Sequence, residues 1–151
     1  MPHSPRWYRG RLWLTNAGTG ELVTVDPVTG TWEPFCFCPG FVRGLTFFGD
    51  YAIVGSSKPR EGDIYSGLQL DDRLAAAGQP PRLGLFIIDL RTAQIVQWLF
   101  IDGEARELYD VVVLPGVRQP MALGLQTDEV EKTIWFDPES IAGRRDVMVA
   151  P

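Results

Sequence analysis

Apolar and polar positions alternate over short stretches along most of this chain. RLWLT (11–15), ELVTVD (21–26) and WEPFCF (32–37) are brief, rich in β-branched and aromatic residues, and bounded by turn formers, the signature of strands. The separators are NAGTG (16–20) and PVTG (27–30). Pro27 fixes φ and Gly30 tolerates positive φ, which together make a tight reversal. Asp26 can accept hydrogen bonds from the N–H groups just ahead of it, as an Asx-turn. The same chemistry, an apolar run ending in Asp and a bend, recurs in IDLRTA (88–93) and FDPES (136–140).

Around each Asp the strands fall into units of four. The first unit is predicted at 4–9, 11–15, 21–26 and 31–37. The second is at 41–48, 51–56, 84–90 and 94–101, and the third at 107–114, 120–126, 131–137 and 146–150. Setting Arg6 against Arg43 and Asp26 against Asp89 superimposes the first two units once an insertion at 57–82 is removed. The third unit fits more loosely. The insertion is polar and irregular, with one helical candidate at 71–78 that Asp71 could cap and Gly78 could end. A loop of this length in a compact domain is usually functional or disordered.

Four-stranded units with a period near 40 residues point to an all-β fold of antiparallel repeats, about three β-propeller blades. The blades span about 1–38, 41–101 and 107–150 of a single domain, 1–151. A twelve-strand sandwich or open barrel is the alternative. Three blades cannot close a ring, and they leave open edges that invite pairing. The expectation is a half propeller completed by a homodimer through those blade edges, or a fragment of a longer propeller.

Composition narrows the partners. The 151 residues carry 45% hydrophobic and 22% charged side chains and a net charge of −5, ordinary for a globular domain. The acidic balance argues against nucleic acid and against simple adhesion to anionic membranes. No apolar run reaches the length of a membrane span, and MPHSPRWYRG has no signal-type core; the default compartment is the cytoplasm. Cys36 and Cys38, alternate residues of one strand, sit side by side in a geometry that would strain a bridge. They read as two small buried hydrophobes.

LTNAGTGELVTVDPVTG followed by PGFVRGLTFFGDYAIVG resembles a blade of the six-bladed lactonase and strictosidine-synthase-like propellers. MPHSPRWYRGRLWLTNAGTGEL, PGFVRGLTFFGDYAIVGSSKPR and ELYDVVVLPGVRQPMALG resemble, more closely, an uncharacterised bacterial family of propeller-like proteins. That family brings no activity with it. The lactonases use a Glu, Asn and Asp metal set, and this chain has one asparagine, Asn16, in a turn, so their full set cannot be built here.

In a propeller the first strand of each blade lines the channel. That would gather His3, Arg6, Arg43, Glu107, Tyr109 and Asp110 near one end, with Lys58 and Arg60 of the insertion alongside. Two Arg forks, which grip carboxylates in fixed geometry, beside a Tyr would hold a small anionic ligand or a peptide. The plainer expectation is that Arg6 and Arg43 brace neighbouring blades by pairing with Asp110 or Glu107. His3, the one histidine, lies where termini fray. No catalytic residue can be named: there is no G-x-S-x-G, and GTG (18–20) lacks the Lys and helix of a phosphate loop. Trp7, Tyr8, Trp13, Trp32, Trp98 and Trp135 read as packing residues. The sequence therefore favours a non-enzymatic binding module without cofactor or metal. The alternative is an atypical metal-dependent hydrolase with Asp110 and Glu107 as ligands, completed by backbone carbonyls.

Overall fold

A computed structural model describes residues 1–58 and 67–120. Met1–Leu114 form one compact unit and Pro115–Pro151 a second; the account below concerns the first. Its strands make two four-stranded antiparallel sheets, each a simple meander. The first contains β1 (Pro2–Tyr8), β2 (Arg11–Asn16), β3 (Glu21–Val25) and β4 (Trp32–Phe37) in that order. The second contains β5 (Phe41–Phe48), β6 (Tyr51–Ser57), β7 (Gly84–Asp89) and β8 (Gln94–Phe100). One helix, α1 (Gln69–Ala77), lies between β6 and β7. The all-β expectation is met, and the two sheets are compatible with partial propeller blades.

Each meander turns where the sequence said it would. Asp26 Oδ1 accepts from the N–H groups of Val28 (2.8 Å) and Thr29 (3.3 Å), closing the Asx-turn between β3 and β4. These bonds hold the Asp26 carboxyl below its ordinary range. Asp89 does the same at the β7–β8 turn, accepting from the Arg91 N–H at 2.8 Å, and it also holds the Arg91 guanidinium through both carboxylate oxygens. The third copy of the motif, at 136–140, lies outside the described residues.

The core is the seam between the sheets. Trp13, Leu22 and Cys38 from the first meet Val42, Leu45, Ala52, Val54, Phe86 and Ile88 from the second. Trp13 stands edge-on to Phe35 and tilted against Phe47, the quadrupole-favoured arrangements. Its indole N–H donates to the Tyr8 carbonyl at 3.1 Å. Cys36 and Cys38 are unbridged. The Cys38 thiol is pushed well up by its hydrogen bond with Cys36 and by burial.

The sheets stack head to tail. Each opens with a two-residue hairpin, Arg9–Gly10 in one and Gly49–Asp50 in the other, so Tyr8 and Phe48 are the matching ladder residues. Tyr8 turns inward and its ring stacks on Phe47 at 4.3 Å. Phe48 turns outward and is 55% exposed. Opposite faces of the two meanders are thus in contact, an arrangement that further sheets can extend in the same sense.

Three expectations are corrected. The pairing of Arg6 with Arg43 does not hold. β1 bulges between His3 and Arg6, and β5 between Val42 and Leu45; counted from the two hairpins, Arg6 is level with Thr46, and Arg43 lies inside the β5 bulge. Residues 107–114 were expected as a strand. Among the described residues they form no ladder; Ser57 Oγ accepts from the Leu108 N–H at 2.9 Å, and just before them the Lys58 N–H donates to the Arg106 carbonyl at 3.0 Å. The remaining third-unit strands lie outside the described residues. Finally, α1 starts two residues earlier than expected, so Asp71 does not cap it; Leu68 is the N-cap, and Asp71 reaches back to the Gly67 N–H at 3.2 Å. Gly78 does end the helix, in the left-handed conformation.

The helix docks on the first sheet. Leu70 and Leu74 are buried, the Leu70 N–H donates to the Gly18 carbonyl at 3.0 Å, and Arg73 bridges to the buried Glu21 at 2.7 Å. The insertion therefore ties the second meander to the β2–β3 turn of the first.

Two measurements check this frame. Gly44 has φ +86°, and a Cβ there would lie 3.0 Å from the Asp110 Cα. Gly44→Ala should lower unfolding free energy by about 1–3 kcal/mol; a change within about 0.5 kcal/mol, the usual effect of a neutral surface site, would contradict the bulge packing. Asp89 has its carboxyl lowered from 3.8 to about 2, chiefly by the Arg91 side chain and then by the Arg91 N–H. A depressed folded value means stability that is present above the unfolded value and lost as pH falls through the folded one. Asp89→Asn should therefore flatten the acid limb of stability between 3.8 and about 2, measured by urea melts across that range.

Candidate functional site

The two bulges meet. The Gly44 N–H donates to Ser4 Oγ at 2.9 Å, so the extra residues of β1 and β5 lie against one another at the same end of the seam. Ser4 has φ +51° and Gly44 φ +86°. Both bulges push backbone out of the ladder, and each makes room for something. A Cβ on Gly55 would collide with the Arg43 carbonyl, and one on Gly44 with the Asp110–Val111 backbone. The chain at 106–111 uses that room and runs past both glycines.

This crossing brings four candidate residues together in two pairs. Arg6 Nη2 forks between Asp110 Oδ2 (2.9 Å) and Oδ1 (3.1 Å). The Arg43 guanidinium sits over the Tyr109 ring, 4.5 Å from its centroid. Arg6 thus braces the segment as the plainer expectation had it. Arg43 does not: among the described residues no carboxylate lies within ion-pair distance of it.

Beside Arg43 is a cavity of about 300 Å³, lined by Met1, Pro2, His3, Phe41, Arg43, Ser57, Lys58 and Glu107. Its walls follow from the ladder: Phe41 pairs with Ser57 at the start of the β5–β6 hairpin, and His3 pairs with Thr15. The terminus does not fray, because β1 begins at Pro2 and the Met1 carbonyl accepts from the Ala17 N–H at 2.9 Å. His3 lies in the wall, its ring tilted to Phe41 at 6.3 Å. Its imidazole is shifted down from its ordinary value by burial, then by Arg43 and the N-terminal ammonium. Arg43, Lys58 and the ammonium of Met1 bring positive charge, and Glu107 one negative.

Of the other residues singled out, Tyr109 is 63% exposed outside the cavity, and Arg60 lies outside the described residues. Glu107 and Asp110 are separated in role, one lining the cavity and one held by Arg6. Among the described residues no three His, Cys, Asp or Glu side chains come together to hold a metal. Phe41 and Ser57 were not anticipated. Pairing the ends of the predicted 41–48 and 51–56 strands outward from their hairpin would have placed both beside Arg43. Ser57 Oγ is fully engaged with the Leu108 backbone, donating at 3.3 Å and accepting at 2.9 Å.

The chain belongs to the family of the domain of unknown function DUF4915, whose profile matches residues 1–123. No curated protein matches it. The match covers both sheets, the insertion and every described residue of the cavity. Among the described residues no helix is long and apolar enough to cross a membrane.

The division between bracing and binding arginines can be measured. The Arg6–Asp110 pair is half-exposed, with side-chain exposures of 38% and 59%, and exposed pairs couple by roughly 0–1 kcal/mol. A double-mutant cycle with Arg6→Gln and Asp110→Asn should give a coupling in that range, decreasing with added salt. A coupling of several kcal/mol would mark the pair as a buried keystone instead.

Proposed function

We propose that this chain is a non-enzymatic binding module, built of propeller-like blades, that holds a small anion at the bulge end of its two sheets. The observation that carries the reading is the position of Arg43 and Lys58. Both cations border a recessed, largely apolar-walled cavity whose one described carboxylate is Glu107, and among the described residues neither cation is within ion-pair distance of a carboxylate. A guanidinium fixed on an aromatic face keeps its N–H fork available for an anion. The hydrolase alternative draws less support: Asp110 is already held by Arg6, and Ser57, the one hydroxyl among the described wall residues, is committed to backbone.

Thermal melts with a panel of small anions and small cations test the site. Anions should raise the melting temperature, and Arg43→Gln should abolish the effect. Equal stabilisation by cations, or none by any anion, would contradict the site. Turnover lost on Asp110→Ala would replace the reading with the hydrolase.

The blades would be completed by a second copy of the chain. The outward face of the first sheet carries the row Trp7, Leu12, Val25 and Trp32, one residue from each strand, with Trp7 65% and Trp32 50% exposed. Head-to-tail stacking leaves this face open to the far end of another stack, and an apolar face of this kind favours a partner. Contact by the face rather than the edge is favoured because edge strand β4 contains Pro34, which blunts edge pairing. Light scattering should give a mass near twice 16.9 kDa, and Trp7→Ser with Trp32→Ser should halve it. A wild-type monomer would refute the pairing.

A further inference from the structure

The binding reading leaves the chemistry of the anion open, and the walls of the cavity narrow it. From the position of Arg43, Lys58 and Glu107 among apolar walls, we infer that the ligand is a monocarboxylate with a short hydrocarbon body rather than a phosphate. This rests on the binding reading above.

Three features support the choice. First, Met1, Pro2 and Phe41 form apolar wall beside the two cations. Burying hydrocarbon there is favourable, whereas an inorganic anion would leave that wall wet. Second, Arg43, Lys58 and the ammonium of Met1 bring positive charge to a cavity that also has Glu107 in its lining, so the head group it favours is an anion. Third, the guanidinium of Arg43 lies over Tyr109, so its planar fork is fixed in orientation. A planar fork matches a planar carboxylate through two parallel N–H···O bonds. Phosphate sites by contrast draw on several backbone N–H groups in a nest or at a helix start. Here the nearby backbone donors are already used, Gly44 by Ser4, Lys58 by the Arg106 carbonyl and Leu108 by Ser57.

The site would take the same chemistry from two sources, a free short-chain acid or the carboxyl end of a peptide with an apolar last residue. The test is calorimetric titration of the full chain with compounds sharing one tail and differing in head group: hexanoate, hexyl phosphate and hexylamine, with acetate as the tail-less control and N-acetylleucine as the peptide-end mimic. Hexanoate or N-acetylleucine should bind about tenfold or more tighter than hexyl phosphate and acetate, a gap that one fitted head group and a few buried methylenes supply. The ratio of those two identifies the source. Arg43→Gln should remove the preference, and Arg43→Lys should restore charge without restoring the carboxylate-over-phosphate ratio. Tighter binding of hexyl phosphate would overturn the carboxylate assignment and leave the anion site standing. Tighter binding of hexylamine, or no binding by any compound, would overturn both.

Discussion

The contact between the two bulges is the constraint on which the site depends. Ser4 Oγ takes the Gly44 N–H, and that bond is possible because both strands have ejected backbone from the ladder at the same end of the seam. In regular strands those groups would be spent on their own sheets. The bulges therefore do two things at once: they lock the relative height of the meanders, and they clear the space at Gly44 and Gly55 through which residues 106–111 pass. Arg6 and Arg43 take different roles as a consequence. The residue after the first bulge reaches the crossing segment and pairs with Asp110. The residue inside the second stacks on Tyr109 and borders the cavity.

Hydrophobic burial provides the frame that makes this bulge contact reproducible. The seam is built on Trp13, Leu22, Val42, Leu45, Val54, Phe86 and Ile88, and close-packed aromatic contacts at Tyr8, Phe35 and Phe47 fix its register. The helix in the insertion adds a second tie at the far turn of the first sheet through Leu70 and Arg73. The first sheet is thus held at both of its ends, and the cavity walls are drawn from β1, β5, β6 and the crossing segment. A preorganised site loses less entropy on binding.

Most of the fold is legible in the residues because its signals are local. Alternation, turn chemistry at Asp26 and Asp89, and Gly78 at the helix end each act within a few positions, and the eight strands fall within about two residues of where those signals put them. What fails is what depends on pairing. The register that equated Arg6 with Arg43 ignores bulges, which leave no mark in an apolar–polar pattern beyond a Ser-Pro or an Arg-Gly that reads like any other. The segment at 107–114 has strand composition, yet among the described residues it joins no ladder, and the Leu108 backbone bonds to Ser57. The site is half legible. Arg43, His3 and Lys58 were visible as scarce chemistry near predicted channel ends, whereas Phe41 and Ser57 become wall residues only once the hairpin register is known.

His3 is the chain's one histidine, so its imidazole gives a single, unambiguous resonance inside the cavity wall. The most direct measurement is its pH titration by NMR, first alone and then with saturating hexanoate. An imidazole partly buried beside Arg43 titrates below 6.5, and a carboxylate seated on Arg43 offsets that positive charge, so the account predicts a low value that rises when the ligand binds. A value at or above 6.5 that ignores hexanoate would contradict the placement of His3, Arg43 and the anion in one site.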